Sequence, residues 1–75
     1  MTLNNARIGG TYTVKSLKLD RAIMGRLEAL GLTNGTDIKI LNRNREGSVI
    51  LMVRGSRLAL GKAITQSIDM KEAKE

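Results

Sequence analysis

The sequence predicts a mainly β domain: a small, partly open barrel of five short strands with one inserted α-helix. Three observations lead there. Apolar and polar residues alternate in several short stretches, the period of a half-buried strand. Apart from Gly9-Gly10, the glycines fall singly between those stretches, where turns belong. Only one stretch, running from Ala22 to Leu30, repeats its apolar residues at helical spacing. A chain of short strands limits its exposed edges by curling the sheet on itself.

In chain order, positions 1–9 are polar and weakly patterned, and read as a loose lead-in with Ile8 as its one anchor. Positions 10–17 form the first strand, with Tyr12, Val14 and Leu17 inward. Asp20 is the N-cap of the helix, since its carboxylate accepts orphan backbone N–H groups. Ile23, Leu27 and Leu30 follow at i, i+4 and i+7 and share one face, with Met24 flanking it and Arg26 and Glu28 outward. Gly31 closes the last turn in a left-handed conformation, and Leu32 then folds back on Leu27. Gly25 costs about 1 kcal/mol against alanine in mid-helix, so either the helix starts later or another backbone approaches there. Asn34-Gly35 is a turn.

The second strand covers 36–42 and alternates Ile38 and Ile40 with Asp37 and Lys39. A polar loop over 42–48 has Asn44 and Gly47 as its turn residues. The third strand covers 48–54, Gly55-Ser56 matches a two-residue hairpin turn, and the fourth strand covers 57–60. Gly61 breaks the pattern, 62–66 reads as one helical turn, and 65–70 closes the domain with Ile68 and Met70 inward. Positions 71–75 are charged and read as a fraying tail. The organisation is one domain over 10–70 between two short flanks.

A Gly55-Ser56 turn fixes a register. It sets Arg54 opposite Arg57, Val53 opposite Leu58, Met52 opposite Ala59 and Leu51 opposite Leu60. One face then carries Val49, Leu51, Val53, Leu58 and Leu60, a core face throughout. The other carries Ile50, Met52, Ala59 and the two arginines, and its apolar middle needs a cover: either the chain's own helix or N-terminal segment, or a partner. Like charges directly opposite in a hairpin are destabilising. Arg54 and Arg57 therefore call for an acid, supplied by the fold or by a partner. Ile50, Met52, Arg54 and Arg57 are the candidate partner-binding residues.

Composition removes whole classes of chemistry. With 75 residues the chain is a single small domain, and one of this size buries only about 60% of its unfolded surface. It has no Cys and no His, so a disulfide framework, a thiol nucleophile, a His base and a Cys- or His-ligated metal site are excluded. The seven acids are scattered, and no nucleophile–base pair can be assembled, so the chain reads as no enzyme. Asp20, Asp37 and Asp69 have no spacing that recommends a hard-cation site. Gly9-Gly10 precedes a strand rather than a helix, so no nucleotide cradle and no cofactor site is read. The longest apolar run, Val49 to Val53, is far short of the ~20 residues that span a bilayer, and no signal peptide is read. These features predict a cytosolic domain.

The net charge of +6 invites a polyanionic partner. Arg43 and Arg45 lie at the loop end of their hairpin, whereas Arg54 and Arg57 lie at the opposite end. They form no single patch, and Tyr12 is the only ring available for base stacking. Nucleic-acid binding is therefore not expected.

The stretch R-L-x-x-L-G-L-x-x-G at Arg26 to Gly35, the strand D-I-K-I-L at Asp37 to Leu41, and V-R-G-S-R-L-A-L at Val53 to Leu60 together resemble the FeoA family. The similarity runs from about Gly10 to Met70. It implies an SH3-like barrel with an inserted helix. It also implies a small cytosolic accessory of the bacterial ferrous-iron transporter FeoB, bound by protein–protein contact and meeting the membrane only through the transporter. A generic transition-metal label goes with the family, and the absence of His and Cys gives it little chemical support. The same domain type occurs behind the DNA-binding domain of DtxR-type repressors. A basic nucleic-acid-binding barrel and a stand-alone metal-responsive domain are the alternatives. The motif glycines are Gly31, Gly35 and Gly55, and the motif leucines are Leu27, Leu30, Leu32, Leu58 and Leu60; these read as fold residues. An exposed sheet edge would permit a homo-oligomer without demanding one.

Overall fold

Alternation builds the sheet strand by strand. Tyr12 and Val14, Ile38 and Ile40, Val49, Leu51 and Val53, and Ile68 and Met70 are all buried, with polar or half-buried residues between them. The computed structural model describes residues 1–73. It contains a 3-10 turn at Leu3–Asn5, β1 (Thr11–Leu17), α1 (Arg21–Ala29), β2 (Asp37–Arg43), β3 (Val49–Val53), β4 (Ser56–Leu60), α2 (Lys62–Thr65) and β5 (Ile68–Glu72). The strands form one antiparallel sheet in the order β4-β3-β2-β1-β5. The sheet does not close: β4 and β5 are its edges, so the barrel is partly open. Each fully buried Val, Leu or Ile contributes about 1.5–3 kcal/mol, and this aliphatic core is the main source of stability.

The helix follows its sequence signals at both ends. Asp20 Oδ1 accepts the Ile23 N–H at 2.9 Å. At the other end, the Leu32 N–H donates to the Leu27 carbonyl at 2.8 Å and the Gly31 N–H to the Glu28 carbonyl at 2.9 Å. With Gly31 at φ +92 this is a complete Schellman closure. It brings Leu27 and Leu32 together in the core.

Three expectations about the helix and N-terminus need correction. Leu30 is not on the buried face: it occupies the C-cap and is 50% exposed. The chain has already begun to turn there, and Leu32 fills the space beneath. Gly25 satisfies neither alternative, since α1 starts at Arg21 and a side chain at Gly25 would meet nothing within 4 Å. The N-terminal segment is not loose. Leu3 and Ala6 are fully buried, whereas the expected anchor Ile8 is 58% exposed. The segment also covers the β5 edge, where Thr2 bridges Asp69 and the Met70 N–H donates to the Met1 carbonyl at 2.7 Å. The Met1 ammonium donates to Asp69 Oδ1 at 2.9 Å and holds that carboxyl below its ordinary range, with Lys15 adding to the effect. Of the charged tail, Lys71 and Glu72 belong to β5, and positions 74 and 75 lie outside the described residues.

Leu3→Ala should cost about 3 kcal/mol, the range for a buried leucine, and Ile8→Ala less than about 0.5 kcal/mol; urea unfolding of both reads the difference. Gly25→Ala should stabilise by about 0.5–1 kcal/mol in the same assay, because the helix gains propensity and nothing is crowded.

Candidate interaction surface

The β3–β4 hairpin sets the candidate surface, and its turn lies one residue earlier than the sequence suggests. Val53 pairs with Ser56, Met52 with Arg57, Leu51 with Leu58, Ile50 with Ala59 and Val49 with Leu60. The turn residues are Arg54 and Gly55, at φ 49 and φ 79. Two positive φ values in a two-residue loop define the hairpin turn whose twist matches its strands. Gly55 takes its left-handed conformation at no steric cost. Arg54 takes it as the only non-glycine residue among those described to do so, and its side chain has a partner: Nε donates to the Gly31 carbonyl at 3.3 Å.

The register correction removes the predicted charge clash. Arg54 is not opposite Arg57, which faces Met52 instead. The shift leaves the side-chain faces unchanged, because moving the turn by one residue changes each partner by two. Val49, Leu51, Val53 and Leu60 are buried and Leu58 is half-buried, as the core face requires. The opposite face carries half-buried Ile50 and Met52 beside exposed Ala59 and Arg57. Across β2, Lys39 flanks Met52 and Asn42 flanks Ile50. A bulge at Leu41 separates these two pairs, and the sequence carried no turn residue to announce it.

Three of the four candidate residues, Ile50, Met52 and Arg57, therefore share one face. Arg54 leaves them for the hairpin tip, where it lines an open cleft of about 360 Å³ with Leu30, Glu28 and Thr33. Among the described residues Arg57 makes no ion pair or side-chain hydrogen bond. The β4 edge is bare in the same sense: no residue of Ser56–Leu60 makes a backbone bond outside its ladder with β3. In a two-residue hairpin Val53 and Ser56 are the hydrogen-bonded pair, so the N–H and C=O of Arg57 and Ala59 point outward.

Three of the carboxylates are otherwise employed. Asp20 caps α1, Asp37 accepts from the Thr13 hydroxyl at 2.6 Å, and Asp69 holds the N-terminus. Among the described residues no three acids gather where a metal ion would sit. Among the described residues no helix is long and apolar enough to cross a membrane.

Residues 1–71 match the FeoA domain. A curated relative from Methanocaldococcus jannaschii, provisionally named Fe(2+) transport protein A, is 31% identical over 68 residues, covering 91% of this chain and 82% of its own. The FeoA protein of Chlorobium tepidum superposes with a TM-score of 0.89 at 24% identity, over 99% of this chain and 71% of that one. The structure of ScaR with bound Zn2+ superposes with a TM-score of 0.83 at 26% identity; it covers 97% of this chain but only 37% of ScaR.

A double-mutant cycle tests the Arg54–Gly31 contact. A Cβ on Gly31 would lie 2.5 Å from Arg54 Cδ, besides the strain of φ +92. Gly31→Ala alone should cost about 1–2 kcal/mol, chiefly left-handed strain, and about 0.5 kcal/mol less when Arg54 is already Ala, because the exposed Arg54 side chain can move aside and only its bond is lost. Equal costs in both backgrounds would show that the contact carries no coupling.

Proposed function

The chain belongs to the FeoA family, and from that membership we propose that it is an accessory of a ferrous-iron transporter, binding the cytosolic part of a FeoB-type protein. The mode of action is contact, not chemistry, on the cytoplasmic side of the membrane. The observation that supports it is the unequal treatment of the sheet edges. The N-terminal segment covers β5, while β4 offers outward backbone groups at Arg57 and Ala59. Beside that edge lie half-buried Ile50 and Met52, and Arg57, which has no ion-pair partner among the described residues. An extended, acidic segment of the partner fits this arrangement: its backbone extends the sheet and its carboxylate meets Arg57.

The likeness to ScaR, whose structure holds Zn2+, favours a second reading, a metal-responsive regulatory domain. It is the weaker one, since no three described acids gather and Asp20, Asp37 and Asp69 are already engaged.

Titration of the isotope-labelled chain with the cytosolic part of FeoB should move the amides of Lys39, Ile50, Met52, Arg57 and Ala59. Arg57→Ser should weaken binding by about tenfold, within the range for a central interface arginine. Anaerobic ferrous ion should leave those amides in place. Shifts with ferrous ion at Asp20, Asp37 or Asp69, and none with FeoB, would overturn the adaptor reading in favour of the second.

A further inference from the structure

The loop between β2 and β3 and the N-terminal segment enclose a second open cleft, of about 470 Å³. It shares no lining residue with the Ile50–Met52–Arg57 surface. Arg43, Arg45 and Lys62 line it, against a single acid, Glu46. None of the three cations makes an ion pair among the described residues.

Two of these cations are placed by contacts of their own. Arg43 Nη1 donates to the Asn4 carbonyl at 3.1 Å. The Lys62 stem lies against Gly47, where a Cβ would come within 2.8 Å of Lys62 Cγ. The loop itself is fixed: Asn44 Oδ1 accepts the N–H groups of Glu46 and Ser48, each at 3.0 Å. The Thr65 hydroxyl donates to the Gly47 carbonyl at 2.7 Å. The positive charge is gathered by an ordered loop, not by a solvated run of basic residues.

The same cleft carries Ile8, the most exposed large hydrophobic side chain of those described. Cations beside an exposed aliphatic group match one chemistry well. At an anionic bilayer the cations meet lipid phosphates, while the apolar side chain enters the boundary between headgroups and acyl chains. Nucleic acid would supply the phosphates but leave Ile8 unused. We propose that this cleft binds the phosphate headgroup of an anionic phospholipid, which gives the chain a membrane contact of its own beside any transporter.

The test is co-sedimentation of the full chain with vesicles of phosphatidylglycerol and phosphatidylcholine, against phosphatidylcholine alone. Binding should require phosphatidylglycerol. Arg45→Ser and Lys62→Ser should each lower the partition coefficient about fivefold, and Ile8→Ser should lower it as well. All three residues are exposed, and circular dichroism checks that the variants fold. Arg26→Ser, on α1 and outside the cleft, should change nothing. An equal loss with Arg26→Ser would reduce the effect to diffuse attraction by the net charge and overturn the site. So would equal binding to both vesicle types. Amide shifts at Asn44 and Arg45 with inorganic phosphate or a short DNA, without vesicle binding, would overturn the lipid assignment and transfer the cleft to that ligand.

Discussion

The rest of the structure depends on burying its aliphatic core, and the point where Arg54 meets Gly31 ties the end of helix α1 to the hairpin over that core. Helix α1 buries Leu27 fully and packs Ile23 half-buried against the core. Its C-terminal end is held by the Schellman bonds to Leu32 and by the guanidinium of Arg54 on the Gly31 carbonyl. Both partners sit in left-handed backbone. Each depends on the other: a side chain at Gly31 would collide with Arg54, and Arg54 gains at Gly31 a partner that offsets its own strain. One local contact thus joins the helix terminus to the hairpin tip.

That contact also explains which parts of the fold were legible in the sequence. Strand alternation, the Asp20 cap and the Gly31–Leu32 closure are local signals, and they place the five strands and α1, but not the 3-10 turn at Leu3–Asn5. The hairpin turn was not local. Gly55-Ser56 and Arg54-Gly55 both satisfy turn chemistry with one glycine, and the structure takes the second, with Arg54 set against Gly31. The faces survived because a one-residue move of the turn preserves strand parity. Leu3 and Ala6 were missed for a similar reason: their burial depends on the chain's return to cover β5, which no short period announces.

The candidate surface was legible to the same degree. Ile50, Met52 and Arg57 follow from parity, which needs only the approximate turn. Lys39 and Asn42 follow from the β2–β3 bulge and have no sequence signature. The basic cleft escaped because it joins Arg43 and Arg45 to Lys62 and Ile8, residues far apart in the chain. The sequence showed correctly that Arg43 and Arg45 are separate from Arg54 and Arg57; it could not show what stood beside each.

That separation has a magnitude. The length of β3 lies between the loop of Arg43 and Arg45 and the turn beside Arg57. Its four steps from Val49 to Val53 span about 13 Å at ~3.3 Å per residue. The Debye length at physiological ionic strength is about 8 Å, so the fields of the two clusters are largely independent. A rigid polyanion seeking both would have to follow the hairpin along its length, past half-buried Ile50 and Met52 and without stacking rings. Two separate anionic ligands fit the distribution better, one at each end. An acidic segment at the β4 edge and a lipid phosphate at the opposite loop satisfy this condition, and neither competes with the other for charge.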